Sequence, residues 1–235
     1  ALLEFSKIAF GRLGLHRWHY ALFLGSSIVL YSAIVWVELD AWVAIAAVCT
    51  GYISLGLWVS RNRVKNTRLM TFLSLSFVGF IYCALFPGLT VKLLHETENA
   101  LWFTTLLVVV FLGDTTAFFT GRAFGKRALM PAVSPSKTFA GAIGGTVGSL
   151  VGGLTLLGIY QIAISWTLSA LILILASWAA QSGDLFVSLL KRVARVKDSG
   201  HIMPGHGGFL DRLDGVFSAS PIIYLLAWLV EAGPK

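Results

Sequence analysis

The sequence predicts an all-α, polytopic integral membrane protein, and three observations carry that prediction. Of 235 residues, 57% are hydrophobic and only 12% charged, with a mean hydropathy of +0.80; a soluble domain carries about a quarter charged residues. The apolar residues come in blocks long enough to cross about 30 Å of hydrocarbon as helix. The basic residues fall in alternate connections between those blocks, as the positive-inside rule requires.

Taken in order, Ala1 to Arg17 mixes apolar residues with Lys7, Arg12 and Arg17, as an interfacial helix or the tail of a span would. Trp18 to Val37 is the first predicted span, followed by an acidic turn at Glu38 and Asp40. Ala41 to Ser60 is the second and ends in the basic loop from Arg61 to Arg68. Leu69 to Val91 is the third, before a mixed loop containing Lys92, His95, Glu96 and Glu98. Ala100 to about Thr120 is the fourth, with an interruption expected at Gly113-Asp114. Thr138 to Tyr160 is the fifth and is glycine-rich; Ala163 to Val187 is the sixth. Gly215 to Val230 is the seventh, short and containing Pro221. Residues 1–99 form an N-terminal region of three spans, and residues 100–235 the region expected to carry catalysis.

With seven alternating spans and a cytoplasmic N-terminus, all but Lys92 and Lys235 of the 18 Lys and Arg residues lie on the inner side. The net charge of +7 is then mostly topological, and nucleic acid is not an expected partner. Cys49 and Cys83 sit inside apolar blocks and read as small buried hydrophobes. His16, His19 and His95 are expected at the membrane interface.

Chemistry concentrates between Gln181 and Asp214. Ser177, Gln181, Asp184, Ser188, Lys191 and Arg195 recur at steps of three or four, one face of a helix running out of the sixth span. An acid near a span end is costly and points to function, so Asp184 is the leading candidate. Asp211 and Asp214 are three apart and follow Pro204-Gly205-His206-Gly207-Gly208, a turn whose glycines let backbone N–H groups approach phosphate. Asp184 and Asp211, with Asp214 as a third ligand or neighbour, suit Mg²⁺, which takes one or two carboxylates plus phosphate oxygens and water. Lys191, Arg192, Lys197 and Arg212 suit phosphate charge, with Asp198 opening the loop; Arg195 reads as a snorkelling residue. His206 is a base, a phosphate donor or a turn residue, and His201 reads as structural.

A second segment adds Asp114, again after an apolar run, and Ser134-Pro-Ser-Lys137-Thr138, a turn feeding the N-terminus of the fifth span. Free N–H groups and the helix dipole favour an anion there, although helix capping explains the serines equally well. Gly141, Gly144, Gly145, Gly148, Gly152 and Gly153 read as close helix packing. A reaction on metal-bound phosphates at the inner membrane face fits all of this. A polyprenol or lipid kinase and an ion-coupled transporter are the alternatives.

The run from Ser188 to Asp198, then Pro204-Gly-His-Gly-Gly-Phe-Leu-Asp-Arg-Leu-Asp214, resembles the signature of phosphatidate cytidylyltransferases, also called CDP-diacylglycerol synthases. The segments GDTTAFFTGRAFGK and SPSKTFAG are similar to two further blocks of that family. Two positions depart from it: Ala140 stands where an acid is usual, and Thr116 where a small residue is commoner. The resemblance implies an all-helical membrane enzyme, often a homodimer, that depends on a divalent metal. It further implies a reaction of CTP with phosphatidic acid giving CDP-diacylglycerol and pyrophosphate, with Mg²⁺ and a possible second cation, at a site in the cell (inner) membrane facing the cytoplasm. Asp184, Asp211, Lys191 and Arg212 are then the expected catalytic residues. Asp114, Ser134, Lys137, Thr138, Ser188, Arg192, Lys197, Asp198, His206, Gly207 and Gly208 are the expected substrate contacts.

Overall fold

A computed structural model describes residues 1–36, 41–60, 64–95, 100–162, 164–200 and 207–231. Among them run helices α1 (Leu2–Phe10), α2 (Arg17–Trp36), α3 (Ala41–Ser60), α4 (Asn66–Phe80), α5 (Phe86–His95), α6 (Leu101–Phe124), α7 (Phe139–Ile159), α8 (Trp166–Ala194) and α9 (Leu210–Glu231). Two short strands, β1 (Ala128–Met130) and β2 (Ser134–Thr138), form an antiparallel hairpin before α7. Among the described residues, six helices are long and apolar enough to cross a membrane: α2, the continuous run Asn66–His95, α6, α7, α8 and Leu210–Val230 of α9. Ile45–Ser60 within α3 is a shorter apolar helix. The chain is an integral membrane protein.

Prolines inside spans are accommodated locally. Pro87 has no N–H to give to the carbonyl four residues back, and one π-turn, Ile81–Leu85, joins α4 to α5 just before it. In α9, Pro221 leaves the Phe217 carbonyl without its backbone donor, and the Ser220 hydroxyl donates to that oxygen at 2.9 Å.

The chain divides into two compact units, Ala1–Leu89 with Leu190–Arg212, and Thr90–Leu189 with Leu213–Lys235. The first has an aromatic core in which the rings of Phe5, Phe10, Phe23, Phe72, Phe80 and Tyr52 meet edge-on or stacked. Tyr52 donates to Ser76 at 2.6 Å, which donates to the Phe72 carbonyl at 2.7 Å. His19, expected at the interface, is buried against Phe72 and its Nε2 lies 2.9 Å from the Ser60 hydroxyl.

The second unit is built on α6 and α7. Gly141, Gly144, Gly145, Gly148 and Gly152 of α7 face α6 closely, and Gly153 faces Leu173 of α8. Where no hydrophobic drive separates helix from lipid, small residues give the close approach that association needs. Ser149 locks the pair by donating to the Val109 carbonyl at 2.6 Å. The interruption expected at Gly113-Asp114 is absent: α6 continues to Phe124, and Gly113 makes room for Ser149. Cys83 is buried and Cys49 half-buried, and both are free thiols.

Candidate active site

In the second unit, Lys137 sits on β2 immediately before α7, and Asp184 lies toward the C-terminal end of α8. Lys137 Nζ and Asp184 Oδ2 are 2.5 Å apart. Ser188, one turn on, donates to the other oxygen of Asp184 at 3.4 Å. The segment expected to be a simple turn is instead the second strand of the hairpin, with Ala128 opposite Thr138 and Met130 opposite Ser134. That pairing fixes the direction of entry into α7, whose N-terminus Thr138 caps by accepting from the Gly141 N–H at 3.1 Å. The Arg127 guanidinium packs on the Phe139 ring at 5.2 Å, holding the hairpin to the helix start.

Lys137, Thr138, Gly141 and Asp184 border a cavity of about 520 Å³ walled by α6, the hairpin, α7 and α8. Asp114, Arg122, Ser136, Lys137, Thr138, Gln181 and Asp184 supply its polar groups, and Ala117, Phe118 and Leu129 apolar wall. Gln181 is anchored to α7 through the Ala142 carbonyl (3.3 Å) and Thr146 (3.4 Å), and to Ser177 (3.3 Å). Asp214 lies outside the lining but within electrostatic reach of Asp114, Asp184 and Lys137, and its Oδ1 accepts from the Gly215 N–H at 2.8 Å.

Among the described residues, no three His, Cys, Asp or Glu side chains are arranged to hold a metal on protein ligands alone. Mg²⁺ does not ask for that, since substrate phosphates and water complete its shell. Asp114 and Asp184 offer hard oxygen donors to one cavity, and Asp184 keeps spare lone pairs beside its contacts with Lys137 and Ser188. The donor set fits a divalent cation.

The other predicted acid, Asp211, belongs to the first unit and is described there. It stands in the first turn of α9. Its Oδ1 is 2.6 Å from Lys191 Nζ, and its Oδ2 accepts from the N–H groups of Ser199 (2.8 Å) and Gly208 (3.3 Å). Gly207 has φ +81°, a left-handed conformation that suits glycine, and lies against Asp211 and Asp198. Arg192, Lys197, Asp198 and Arg212 are exposed. His201 and His206 lie outside the described residues. Arg195 does not continue the α8 face: the helix stops at Ala194 and Arg195 turns left-handed at φ 56°. The Val196 and Arg195 N–H groups then close the helix end on the carbonyls of Lys191 and Arg192.

Sequence reasoning missed Arg122 in the cavity wall and Glu4 in the first unit, and left Ser136, also in that wall, between anion contact and helix cap. Glu4 is 3% exposed, and its two oxygens accept from the N–H groups of Phe209 (2.9 Å) and Leu210 (2.7 Å). An acid inside the apolar run of α1 was the available signal.

Residues 3–230 match the model of the cytidylyltransferase family. A phosphatidate cytidylyltransferase of Brucella abortus biovar 1 (strain 9-941) is 43% identical over 150 residues, 63% of this chain and 54% of the relative. One of Staphylococcus saprophyticus is 36% identical over 186 residues, covering 73% of this chain and 72% of the relative. One of Bacillus subtilis (strain 168) is 39% identical over 169 residues, 69% and 61% respectively. The match to the Brucella protein spans about half of that protein's length.

Proposed function

The chain belongs to the cytidylyltransferase family, and from that premise we propose that it transfers the cytidylyl group of CTP to phosphatidic acid, giving CDP-diacylglycerol and pyrophosphate. The single observation carrying the proposal is the cavity lined by Asp114 of α6, Asp184 of α8 and Lys137 of β2. The names of the relatives supply the substrates.

The phosphate of phosphatidic acid is already ionised at neutral pH, so its oxygen attacks the α-phosphorus of CTP without a general base. The new P–O bond forms as the bond to the β-phosphate oxygen breaks, and pyrophosphate leaves with that electron pair. Positioning and charge neutralisation are then the protein's work. Lys137 and Arg122 offset phosphate charge, while Ser136 and the capped start of α7 supply hydrogen-bond donors. Asp114 and Asp184 would hold Mg²⁺, which supplies charge neutralisation across the phosphates when bound; a second cation is compatible with the same phosphates. Asp211 and Lys191 are proposed to be required for turnover. The lipid stays in the bilayer while CTP arrives from the cytosol. The crowding of basic residues on one side favours the inner membrane with the site facing the cytoplasm. A homodimer is proposed as the working form.

The test gives purified protein in detergent–phosphatidic acid micelles radiolabelled CTP or ATP with Mg²⁺. Labelled lipid from CTP, with one pyrophosphate per lipid and none from ATP, is the expected result. Phosphoryl transfer from ATP would replace this reading with a lipid kinase, and turnover of neither nucleotide would remove it.

A further inference from the structure

Resting on the transferase reading, we propose that Glu4 is a positioning residue of the reaction, through which the N-terminal helix sets the placement of Asp211. The first backbone N–H groups of a helix lack intrahelical partners and must be satisfied from outside. At the start of α9 a buried carboxylate from the far end of the chain does so, accepting from Phe209 at 2.9 Å and Leu210 at 2.7 Å. The next residue is Asp211, whose own Oδ2 accepts from Ser199 and Gly208. Two carboxylates thus accept from three consecutive N–H groups, Gly208 to Leu210, and from Ser199 as well, and displacing one moves the other. The glycines show the same fit: a Cβ on Gly200 would lie 2.6 Å from Glu4 Oε1, and one on Gly208 2.8 Å from it.

The turn that follows α1 also grips the end of α8. Arg12 Nη1 donates to the Val193 carbonyl at 3.1 Å, in the last turn of α8, which carries Lys191. Glu4 and Arg12 therefore fix both helix ends that bring Lys191 and Asp211 to 2.6 Å. A segment read from composition as an interfacial helix or the tail of a span becomes a brace for the pair.

The test is Glu4→Gln, which keeps the size of the side chain but turns one acceptor into a donor facing an N–H. Turnover of CTP and phosphatidic acid should fall about tenfold or more, with KM for CTP changing by less than about threefold, because alignment and not affinity is lost. Hydrogen exchange should accelerate at residues 207–213 and stay unchanged through the rest of the first unit. Gly200→Ala, which pushes the carboxylate from the opposite side, should reproduce the loss. The double variant should be little worse than the poorer single one. Activity of Glu4→Gln within about twofold of the parent, or faster exchange spread across residues 1–89, would overturn the inference. A parent protein with no turnover, whose variant still loses protection only at 207–213, would remove the transferase reading and leave the brace standing.

Discussion

Lys137 and Asp184 approach to 2.5 Å although 47 positions apart in sequence, the one on a strand, the other in the second half of a 29-residue helix. Their side chains are 28% and 42% exposed. A pair as open as this contributes little to stability, on the order of 0–1 kcal/mol. Its position on a cavity wall is the better reason for its presence.

Replacing Lys137 by Gln should therefore separate activity from folding. Cytidylyl transfer is expected to fall by about a hundredfold, the scale of losing one donor that stabilises developing negative charge. Thermal stability in detergent should change by no more than about 1 kcal/mol. A large loss of stability at normal turnover would reverse the assignment of roles.

Metal dependence should run through the cavity acids. Chelation of divalent ions is expected to stop turnover and Mg²⁺ to restore it. Asp114→Asn should raise the Mg²⁺ concentration needed for half-maximal rate by about 10- to 100-fold, the scale of losing a ligand or its supporting contact. Asp184→Asn should leave almost no activity at any Mg²⁺ concentration. An unchanged Mg²⁺ titration in Asp114→Asn would take that residue out of the metal site.

Asp211→Asn tests the other unit. The change leaves the Ser199 and Gly208 N–H groups one oxygen to bond but strips the charge facing Lys191. Turnover should be lost while the detergent-solubilised protein stays folded, as gel filtration and thermal melting would report. A variant with near-parental rates would confine Asp211 to holding its loop.

Much of the fold could be read from residue types, because crossing a membrane imposes length, composition and charge bias on every span. Asp184 was legible for the same reason: an acid at helical spacing from Ser177, Gln181 and Ser188 is conspicuous in an apolar run. Its partner was not. Contact between Lys137 and Asp184 depends on how α7 and α8 pack, which no local pattern records. The end of α8 was misplaced because Arg195 adopts a left-handed turn normally left to glycine, so the usual stop signal is missing. The hairpin was read as a turn because Ser134-Pro-Ser carries cap and turn chemistry, and only three residues, Ala128–Met130, pair with it. Glu4 went unread because its duty, capping a helix some 200 residues later, is purely tertiary.

The tight face between α6 and α7 gives the sharpest test of packing. Gly145 sits where a Cβ would lie 3.1 Å from both the Ala117 methyl and the Gly113 carbonyl oxygen. Gly51, on α3, has nothing within 4 Å of the same position. Both glycines lie within apolar helices, so sequence alone gives them similar tolerance. Gly145→Leu must either push α6 from α7 or force its side chain off rotamer, a cost of about 1–3 kcal/mol. Gly51→Leu adds an apolar side chain to an open face and removes a helix-interior glycine, which should be neutral or stabilising by up to about 1 kcal/mol. The melting temperature in detergent should fall for the first and hold or rise for the second. Cytidylyl transfer should fall with Gly145→Leu as well, since Asp114 on α6 and Lys137 beside α7 depend on that packing to face one cavity. Equal destabilisation by the two changes would mean that the glycine stripe of α7 serves something other than close helix contact.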